Sequence, residues 1–247
     1  MAYQTVFKRY EIKYLLDEDQ KSNILTAMAP YMELDKYGRS TIYNIYFDTD
    51  TYRLIRQSIE KPVYKEKLRI RSYGKASPDS TVFVELKKKY NNVVYKRRVS
   101  LCENEAMRWV CGDEHCGKRT QISREVDYFI KYYESLHPTA FLSYEREAFY
   151  SKDGSDFRVT FDDNILCRQN DLSLCSEACG TPILPKGKVL MEVKCSGGIP
   201  LWMTHVLSDE RIYKTSFSKY GTAYKTMIFP DQYQIKNCSI QEAAIHA

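Results

Sequence analysis

Apolar and charged positions alternate along much of this chain. In the segment Lys67-Leu68-Arg69-Ile70-Arg71, basic residues occupy every second position and aliphatic residues lie between them. Successive side chains of a β-strand point to opposite faces of the sheet, so this pattern predicts a strand with one basic face and one apolar face. For an isolated strand, a basic face directed toward solvent is the ordinary interpretation. That interpretation is weakened here because the pattern recurs in strand after strand.

A period of two, together with an enrichment in Tyr and β-branched residues, predicts about eight strands. We place them at residues 7–14, 40–47, 63–73, 81–89, 93–99, 139–150, 157–162 with an extension over 164–168, and 188–194. The segments between residues 63 and 101 are joined by short connections, and Asn91-Asn92 is typical of a tight hairpin. These connections predict three consecutive antiparallel strands.

Helical patterns lie between the strands. Apolar residues near a period of 3.6 predict helices at about 17–30, 50–59, 103–110, 121–136, 200–209 and 219–228. Asp17 suits the N-cap of the first helix, because its side chain can accept hydrogen bonds from backbone amides of the first turn. Residues 169–187 are expected to form a long connection with at most one short strand. The chain, 1–247, is predicted to be a single domain with a peripheral tail at 230–247.

The composition is that of a folded protein rather than a disordered one, with 43% hydrophobic and 28% charged residues. A net charge of +5 suits a polyanionic ligand without demanding one. The first residues contain no apolar signal core and no long apolar run follows, so we expect no membrane span and a cytoplasmic location. The eight cysteines are therefore expected to be reduced, and their spacing does not favour a zinc site.

Basic residues from most of the predicted strands could gather on one face of a common sheet. They are Arg9, Lys13, Lys67, Arg69, Arg71, Lys87, Lys96, Arg98, Arg146, Arg158 and Lys194. The acidic residues at comparable positions are Glu11, Glu85, Asp162 and Glu192. The opposite faces are apolar and need cover, which the helices can supply, so the expected fold class is α+β. A flat sheet would display a basic surface, whereas a barrel of about eight strands or more would enclose a cationic bore with room for a ligand.

An enclosed cationic bore favours a bound anion, because unpaired charges are costly where water is limited. Phosphate suits such a site, since Arg offers forked donors and Lys offers a compact charge, and a chain of phosphates would use many of them in series. A hard cation such as Mg²⁺ or Mn²⁺ could join carboxylate and phosphate oxygens. Glu192 is the best candidate for a metal ligand, followed by Glu11 and Glu85. For Glu85, a salt bridge to a neighbouring Lys or Arg is an equally good interpretation.

Short segments spread along the chain carry a resemblance to a known family. They are RYEIKY (9–14), YFDT (46–49), LRIRSYG (68–74), VELK (84–87), YKRR (95–98), YER (144–146), RVTFD (158–162), MEVK (191–194) and FSKY (217–220). Their number and order over residues 7–229 resemble the VTC domain, the polyphosphate polymerase domain within the CYTH-like triphosphate tunnel enzymes. The first strand reads Glu11-Ile12-Lys13 and not the fuller Glu-x-Glu-x-Lys signature of that superfamily. This departure weakens any assignment to adenylate cyclase or thiamine triphosphatase.

The resemblance implies a triphosphate tunnel fold, an antiparallel β-barrel or tunnel of about eight strands with helices packed outside. It also implies transfer of the γ-phosphate of ATP onto a growing inorganic polyphosphate chain, with Mn²⁺ or Mg²⁺ as cofactor. The catalytic and phosphate-binding residues that it implies are Lys13, Arg69, Arg71, Lys87, Lys96, Arg146, Arg158 and Lys219. Arg98 and Lys194 extend the phosphate-binding set on the same faces, and Glu192 matches the metal-binding glutamate.

Three functions remain open at this point. The first is a polyphosphate polymerase, whose partners would be ATP and inorganic polyphosphate. The second is hydrolysis of triphosphate or polyphosphate at the same site, since water could replace the acceptor. The third is a polyanion-binding module without catalysis. Nucleic acid is not an expected partner, because the basic positions are predicted to face inward and no aromatic stacking motif is interleaved with them.

Overall fold

The strands of the computed structural model, which describes residues 10–91, 93–112 and 114–230, all belong to one antiparallel sheet. They are β1 (Tyr10–Asp17), β2 (Met32–Leu34), β3 (Ser40–Asp48), β4 (Tyr64–Tyr73), β5 (Thr81–Tyr90), β6 (Val93–Cys102), β7 (His137–Ser151), β8 (Arg158–Arg168), β9 (Thr181–Pro182), β10 (Lys188–Cys195) and β11 (Lys214–Thr215). Each long strand lies within a few residues of a predicted one, and β4, β5 and β6 form the predicted antiparallel succession. Arg9 and the predicted start of the first strand lie outside the described residues.

The sheet is strongly curled. Its strand order is β11-β1-β10-β8-β7-β3-β4-β5-β6, with β2 added to β7 and β9 added to β8. In a flat sheet of this order, β1 and β5 would lie about 29 Å apart. Their side chains nevertheless meet, because Lys87 Nζ of β5 is 2.6 Å from Glu11 Oε2 of β1. The sheet therefore forms a tunnel, although hydrogen bonds between its end strands do not close it as a barrel within the described residues.

The helices coincide with the predicted helical segments. They are α1 (Glu18–Met28), α2 (Arg53–Ile59), α3 (Glu103–Cys111), α4 (Gln121–Tyr132), α5 (Leu201–Asp209) and α6 (Lys219–Ala223), and Tyr224–Ile228 continues α6 as a π-helix. The Asp17 side chain caps α1 as predicted, since it accepts a hydrogen bond from the Gln20 amide at 2.8 Å. The Gln20 side chain accepts one in return from the Asp17 amide, which completes a capping box. α4 ends before the predicted boundary at residue 136, because Tyr133 is already its C-cap.

Two apolar cores lie on the convex side of the sheet. In the first, α3 and α4 cover β4, β5 and β6, so that Leu86 packs in one cluster with Trp109 and Phe129. In the second, α1 and α5 cover β1, β8 and β10, and Met191 packs in one cluster with Ile24. These are the apolar faces that the alternating pattern predicts. The helices remove them from water and leave the charged faces on the concave side.

α2 and α6 differ from the other helices, because they close one end of the tunnel. Tyr220 of α6 stacks on Tyr46 of β3 from the concave side, with ring centroids 4.9 Å apart. Asp48 joins α2 and α6 at this end. Its buried carboxylate accepts hydrogen bonds from the amides of Leu54 and Ile55 and from the Tyr220 hydroxyl. The end of the tunnel is therefore a packed apolar core with one satisfied carboxylate inside it.

Two further findings concern membrane-spanning helices and cysteines in the described part of the chain. Within the described residues, no helix has the length and apolar character needed to cross a membrane. The cysteines in that part of the chain are free thiols. Cys238 lies outside the described residues, together with the rest of 231–247.

Candidate functional site

Neighbouring strands of the tunnel place their basic side chains side by side on the concave face. Lys67 of β4 is paired with Lys87 of β5. At the next inward-facing position, Arg69 lies opposite Glu85, and Glu85 lies opposite Arg98 of β6. Cross-strand partners project from the same face of a sheet. These strands therefore form a continuous basic wall that contains a carboxylate.

Glu85 is the centre of the first group of charges, which we call the β5 cluster. The cluster consists of Arg69, Arg71, Glu85, Lys96 and Arg98. Arg69 NH2 lies 2.8 Å from Glu85 Oε2, and Lys96 Nζ lies 2.6 Å from Oε1. Arg71 and Arg98 each approach the carboxylate to 3.9 Å. Because the basic groups outnumber the acid, the cluster keeps an excess of positive charge toward the tunnel.

Neutral side chains orient two of the three arginines of the β5 cluster, Arg69 and Arg71. Arg69 NH1 donates to the hydroxyl of Tyr46 at 2.9 Å. Arg71 donates from Nε to Asn44 Oδ1 and from NH2 to the hydroxyl of Tyr144, both at 3.0 Å. These contacts hold both guanidinium groups in place before any ligand binds. Such preorganisation is what a site for a multiply charged phosphate ligand requires.

The protonation states of this cluster follow from burial and from its own charges. Burial alone would raise the pKa of Glu85, but Arg71, Arg69 and Lys96 hold that pKa well below its ordinary value. Burial lowers the pKa of Lys96 to about 7, since the attraction of Glu85 is opposed by the repulsion of Arg71 and Arg69. Glu85 is thus ionised at neutral pH and surrounded by basic partners. This arrangement supports the salt-bridge interpretation of Glu85 over a role as metal ligand.

A second group of charges, the β10 cluster, lies across the tunnel. It consists of Lys13, Arg146, Asp162, Glu192, Lys194 and Lys219. Arg146 donates from Nε and NH2 to the two carboxylate oxygens of Asp162, each at 2.6 Å. Lys219 contacts Asp162 and lies 3.4 Å from Glu192. Lys13 and Lys194 approach Glu192 to 3.1 and 3.4 Å, respectively.

Both carboxylates of the β10 cluster are ionised for the same reason. Burial alone would raise the pKa of each. Lys13 and Lys219 hold the pKa of Glu192 well below its ordinary value, and Arg146 and Lys219 lower the pKa of Asp162. Burial would lower the pKa of Lys219, but Asp162 and Glu192 raise it to about 12. Lys219 is therefore a permanent cation that Asp162 anchors in the tunnel.

Glu11 links the two walls. It lies on β1 beside Lys194 of β10, diagonal to Glu192, and it forms the ion pair with Lys87 of β5 described above. Burial would raise the pKa of Glu11, but Lys87 and Lys194 lower that pKa to about 2. Glu11 and Glu192 are thus neighbouring, ionised carboxylates on one wall of the tunnel.

Arg158 is placed differently from the rest of the predicted phosphate-binding residues. It begins β8, is exposed, and is paired in register with Lys194 of β10. It therefore lies at the rim of the concave face, whereas the other predicted residues lie within the two clusters or on the Lys87–Glu11 bridge.

The structure also adds residues that the resemblance does not supply. Lys67 is in the basic pattern but not in the implied phosphate-binding set, and its Nζ donates to Ser218 Oγ at 3.2 Å. Asn44, Tyr46 and Tyr144 orient the arginines. Tyr46 and Tyr144 lie in segments that carry the resemblance, but neither they nor Asn44 are in the implied phosphate-binding set. Their role depends on which strands are neighbours, and that is a property of the folded sheet.

The donor groups fit a divalent cation that binds together with a phosphate ligand. Within the described residues, His, Cys, Asp and Glu do not converge in groups of three or more. Mg²⁺ and similar cations are often held by one or two carboxylates and complete their coordination with phosphate oxygens and water. Glu192 and Glu11 could supply such a pair. Glu85 is less suited to it, because Lys96 and Arg69 approach its oxygens to 2.6 and 2.8 Å. The basic groups around Glu192 lie farther from its oxygens, at 3.1 Å or more.

Comparisons with known proteins agree with this geometry. The family model described as VTC domain matches residues 8–228. No curated protein matches the chain significantly. Among solved structures, a putative adenylate cyclase from Bacillus halodurans has a TM-score of 0.53 and 15% sequence identity, over 87% of this chain and 96% of that one. A putative adenylyl cyclase from Hippeastrum, described as revealing a dominant triphosphatase activity, has a TM-score of 0.53 and 15% identity, over 89% and 96% of the two chains. These similarities confirm the predicted α+β fold of the triphosphate tunnel type.

Proposed function

Because the chain belongs to the VTC domain family, we propose that it is a metal-dependent phosphotransferase. In this proposal, it moves the γ-phosphate of ATP onto a growing inorganic polyphosphate chain. The main support is the position of the β5 and β10 clusters, which face each other across one passage and each carry excess positive charge. A linear polyanion matches a passage that is lined along its length by Lys and Arg.

The residues of the tunnel can promote phosphoryl transfer without a protein nucleophile, because the acceptor is the end of the polyphosphate chain. The reaction then needs in-line alignment of donor and acceptor and neutralisation of the transferred group. Arg69 and Arg71 can supply both, because Tyr46, Asn44 and Tyr144 already fix their guanidinium groups. Little reorganisation is needed when phosphate oxygens arrive.

The β10 cluster would hold the opposite side of the ligand. Arg146 and Lys219 are anchored by Asp162, so their positions do not depend on the ligand. Lys13 and Lys194 share Glu192 and can pair with phosphate oxygens instead. Glu192, with Glu11 beside it, would hold Mn²⁺ or Mg²⁺. When bound, the cation supplies charge neutralisation at phosphate oxygens.

Hydrolysis of triphosphate is the second candidate function. It is favoured by the Hippeastrum protein, which has a similar fold and is described as having a dominant triphosphatase activity. The same cationic groups would stabilise transfer to water, because they act on the transferred phosphoryl group and not on the acceptor. The two functions therefore differ in which acceptor has access to the site.

The test is to incubate the purified chain with ATP and Mn²⁺ or Mg²⁺ and to separate the products by gel electrophoresis. Long phosphate chains are the expected result. Release of phosphate from tripolyphosphate without chain growth would instead identify a hydrolase. Tight, salt-sensitive binding of polyphosphate without either product would identify a non-catalytic binding module.

The matched variants are Arg71→Ala and Lys186→Ala. Arg71 is buried in the β5 cluster, whereas Lys186 is exposed outside the tunnel. Arg71→Ala should abolish turnover, because it removes a preorganised guanidinium group from the proposed site, and Lys186→Ala should leave turnover unchanged. Circular dichroism establishes that each variant is folded, and Arg71→Lys serves as a second variant that keeps the charge. Near-normal turnover by a folded Arg71→Ala protein would contradict the assignment of the tunnel as the active site.

A further inference from the structure

Lys67 lies between the β5 and β10 clusters and belongs to neither. Its ammonium group donates to Ser218 Oγ at 3.2 Å and lies 6.0 Å from the ring centroid of Tyr220. Among the described residues, no carboxylate comes within 4.0 Å of its Nζ. Ser218 and Tyr220 are at the start of the helix that closes the tunnel, so a hydroxyl and an aromatic ring position this side chain on the concave face.

The charged groups that act most strongly on Lys67 are basic. They come from three strands: Lys13 from β1, Lys65 and Arg69 from β4, and Lys87 from β5. The packed residues of α6 on this side, Ser218 and Tyr220, are neutral. Two of the basic neighbours, Lys87 and Lys13, are themselves paired with Glu11 and Glu192, but among the described residues no carboxylate forms an ion pair with Lys67. A buried basic group without a carboxylate partner is stabilised either by an anion or by the loss of its proton.

We propose that Lys67 is a phosphate ligand of the tunnel that contacts the phosphate chain between the two clusters and makes its binding depend on pH. This inference deepens the proposed function and rests on it. Lys67 differs in one respect from Arg69 and Arg146, which are already bound to Glu85 and Asp162. It can accept an anionic partner without giving up an existing carboxylate.

The expected pH dependence follows from the surroundings of the amine. Burial, together with Lys13, Lys65 and Lys87, lowers the pKa of Lys67 from 10.5 to about 7. Near pH 7, about half of the ligand-free molecules would therefore carry a proton on this group. A phosphate anion beside the amine favours the protonated form, so binding takes up a proton. Above pH 7, affinity should fall with rising pH, because the proton must then be taken from solution.

Isothermal titration calorimetry with inorganic tripolyphosphate tests the proposal in the full chain, at low salt and without metal ions. Titrations at pH 7 in buffers of different ionisation enthalpy give the number of protons taken up. The variants are Lys67→Met, which removes the charge, and Lys67→Arg, which keeps a permanent charge. Lys186→Met is the matched control, because it removes an exposed charge outside the tunnel. The protonation of tripolyphosphate itself is common to all four proteins and cancels in the differences.

We expect wild type to take up about half a proton more than Lys67→Arg. Lys67→Met should bind tripolyphosphate about tenfold more weakly at pH 6.5, and Lys67→Arg should retain affinity but lose the extra decline above pH 7. Lys186→Met should match wild type. Lys67→Gln is measured alongside, in case the Met variant repacks the tunnel.

The outcomes separate this inference from the proposed function. Wild-type affinity and proton uptake in folded Lys67→Met would overturn the role of Lys67 and leave the polymerase proposal intact. Proton uptake that depends on Lys67, in a protein that forms no phosphate chains from ATP, would support the phosphate ligand and contradict the polymerase. A wild-type protein that does not bind tripolyphosphate would overturn both.

Discussion

Replacing Glu85 by Gln tests whether this carboxylate stabilises the basic wall of the tunnel. The substitution keeps the size of the side chain and removes its charge. Arg69, Arg71, Lys96 and Arg98 would then face one another across a neutral amide. The pKa of Glu85 is held well below its ordinary value, so its negative charge is present in the folded protein at neutral pH. We therefore expect Glu85→Gln to lower the free energy of unfolding.

The expected loss in the free energy of unfolding follows from how deeply the charged groups are buried. Removing one partner of a buried ion pair commonly costs about 3–5 kcal/mol. Glu85 is 1% exposed, but the side chains of Arg69 and Lys96 remain 18% and 30% exposed. Water can therefore relieve part of the repulsion, and a loss near the lower limit, about 3 kcal/mol, is expected. For a protein of this length, that corresponds to a decrease in Tm of about 6–12 °C.

The assay is urea unfolding at low salt, without phosphate, followed by tryptophan fluorescence. Glu125→Gln is the control, because Glu125 also accepts ion pairs, from Lys88 at 3.9 Å and Arg97 at 3.4 Å, but is 25% exposed. Its loss should stay below about 1 kcal/mol. The stabilisation by Glu85 is present above its ordinary pKa and is lost as pH falls through the lower pKa of the folded protein, so the difference should narrow in acid. Equal losses in the two variants at pH 7 would refute the structural role of Glu85.

Two further predictions concern the metal and the lysines. Glu192→Gln should lose the increase in tripolyphosphate affinity that Mn²⁺ produces, whereas Glu85→Gln should keep it. Electron paramagnetic resonance of bound Mn²⁺ measures the difference. Equal loss in both variants would contradict the assignment of Glu192 as metal ligand. The free energy of unfolding should rise by about 2 kcal/mol for each of two buried lysines, or about 4 kcal/mol in all, from pH 7 to pH 9. The reason is that Lys67 and Lys96, with pKa values lowered to about 7, have released protons that the unfolded chain still binds below pH 10.5. Urea titrations at the two pH values measure this rise in the free energy of unfolding, and the rise should be smaller in Lys67→Arg. A free energy of unfolding that does not change between pH 7 and pH 9 would contradict the burial of these amines.

Local patterns in the sequence were sufficient to predict the elements and their faces. The alternation over Lys67–Arg71 gives the inward and outward faces of β4, and the same argument applies wherever a strand is regular. It fails at a β-bulge such as the one at Asn164 of β8, where the pairing with β7 shifts by one residue. The cap at Asp17 was also predictable, since it involves residues three positions apart. The resemblance then supplied the fold and most of the candidate site.

The pairing of particular charges could not be predicted in this way. Lys87 and Glu11 are 76 residues apart, and they meet only because the sheet curls between β1 and β5. Lys219 lies on a helix whose pattern gives no reason to place a lysine beside the buried Asp162, 57 residues earlier. Such contacts depend on strand order and curvature, which arise from packing of the whole sheet against its helices.

The carboxylates of the tunnel divide its basic residues into two kinds. Arg69 and Arg146 donate two hydrogen bonds each to a buried carboxylate, so an incoming phosphate can use only the directions that remain. Lys67 has a hydroxyl as its hydrogen-bond acceptor, and it can turn fully to an anion. The anchored arginines would therefore define where the phosphate chain lies. Lys67 would take up a proton and pair with the chain when the chain binds. In a tunnel that must bind a polyanion and still let it move, affinity can then be adjusted through the lysine without disturbing the charges that keep the tunnel folded.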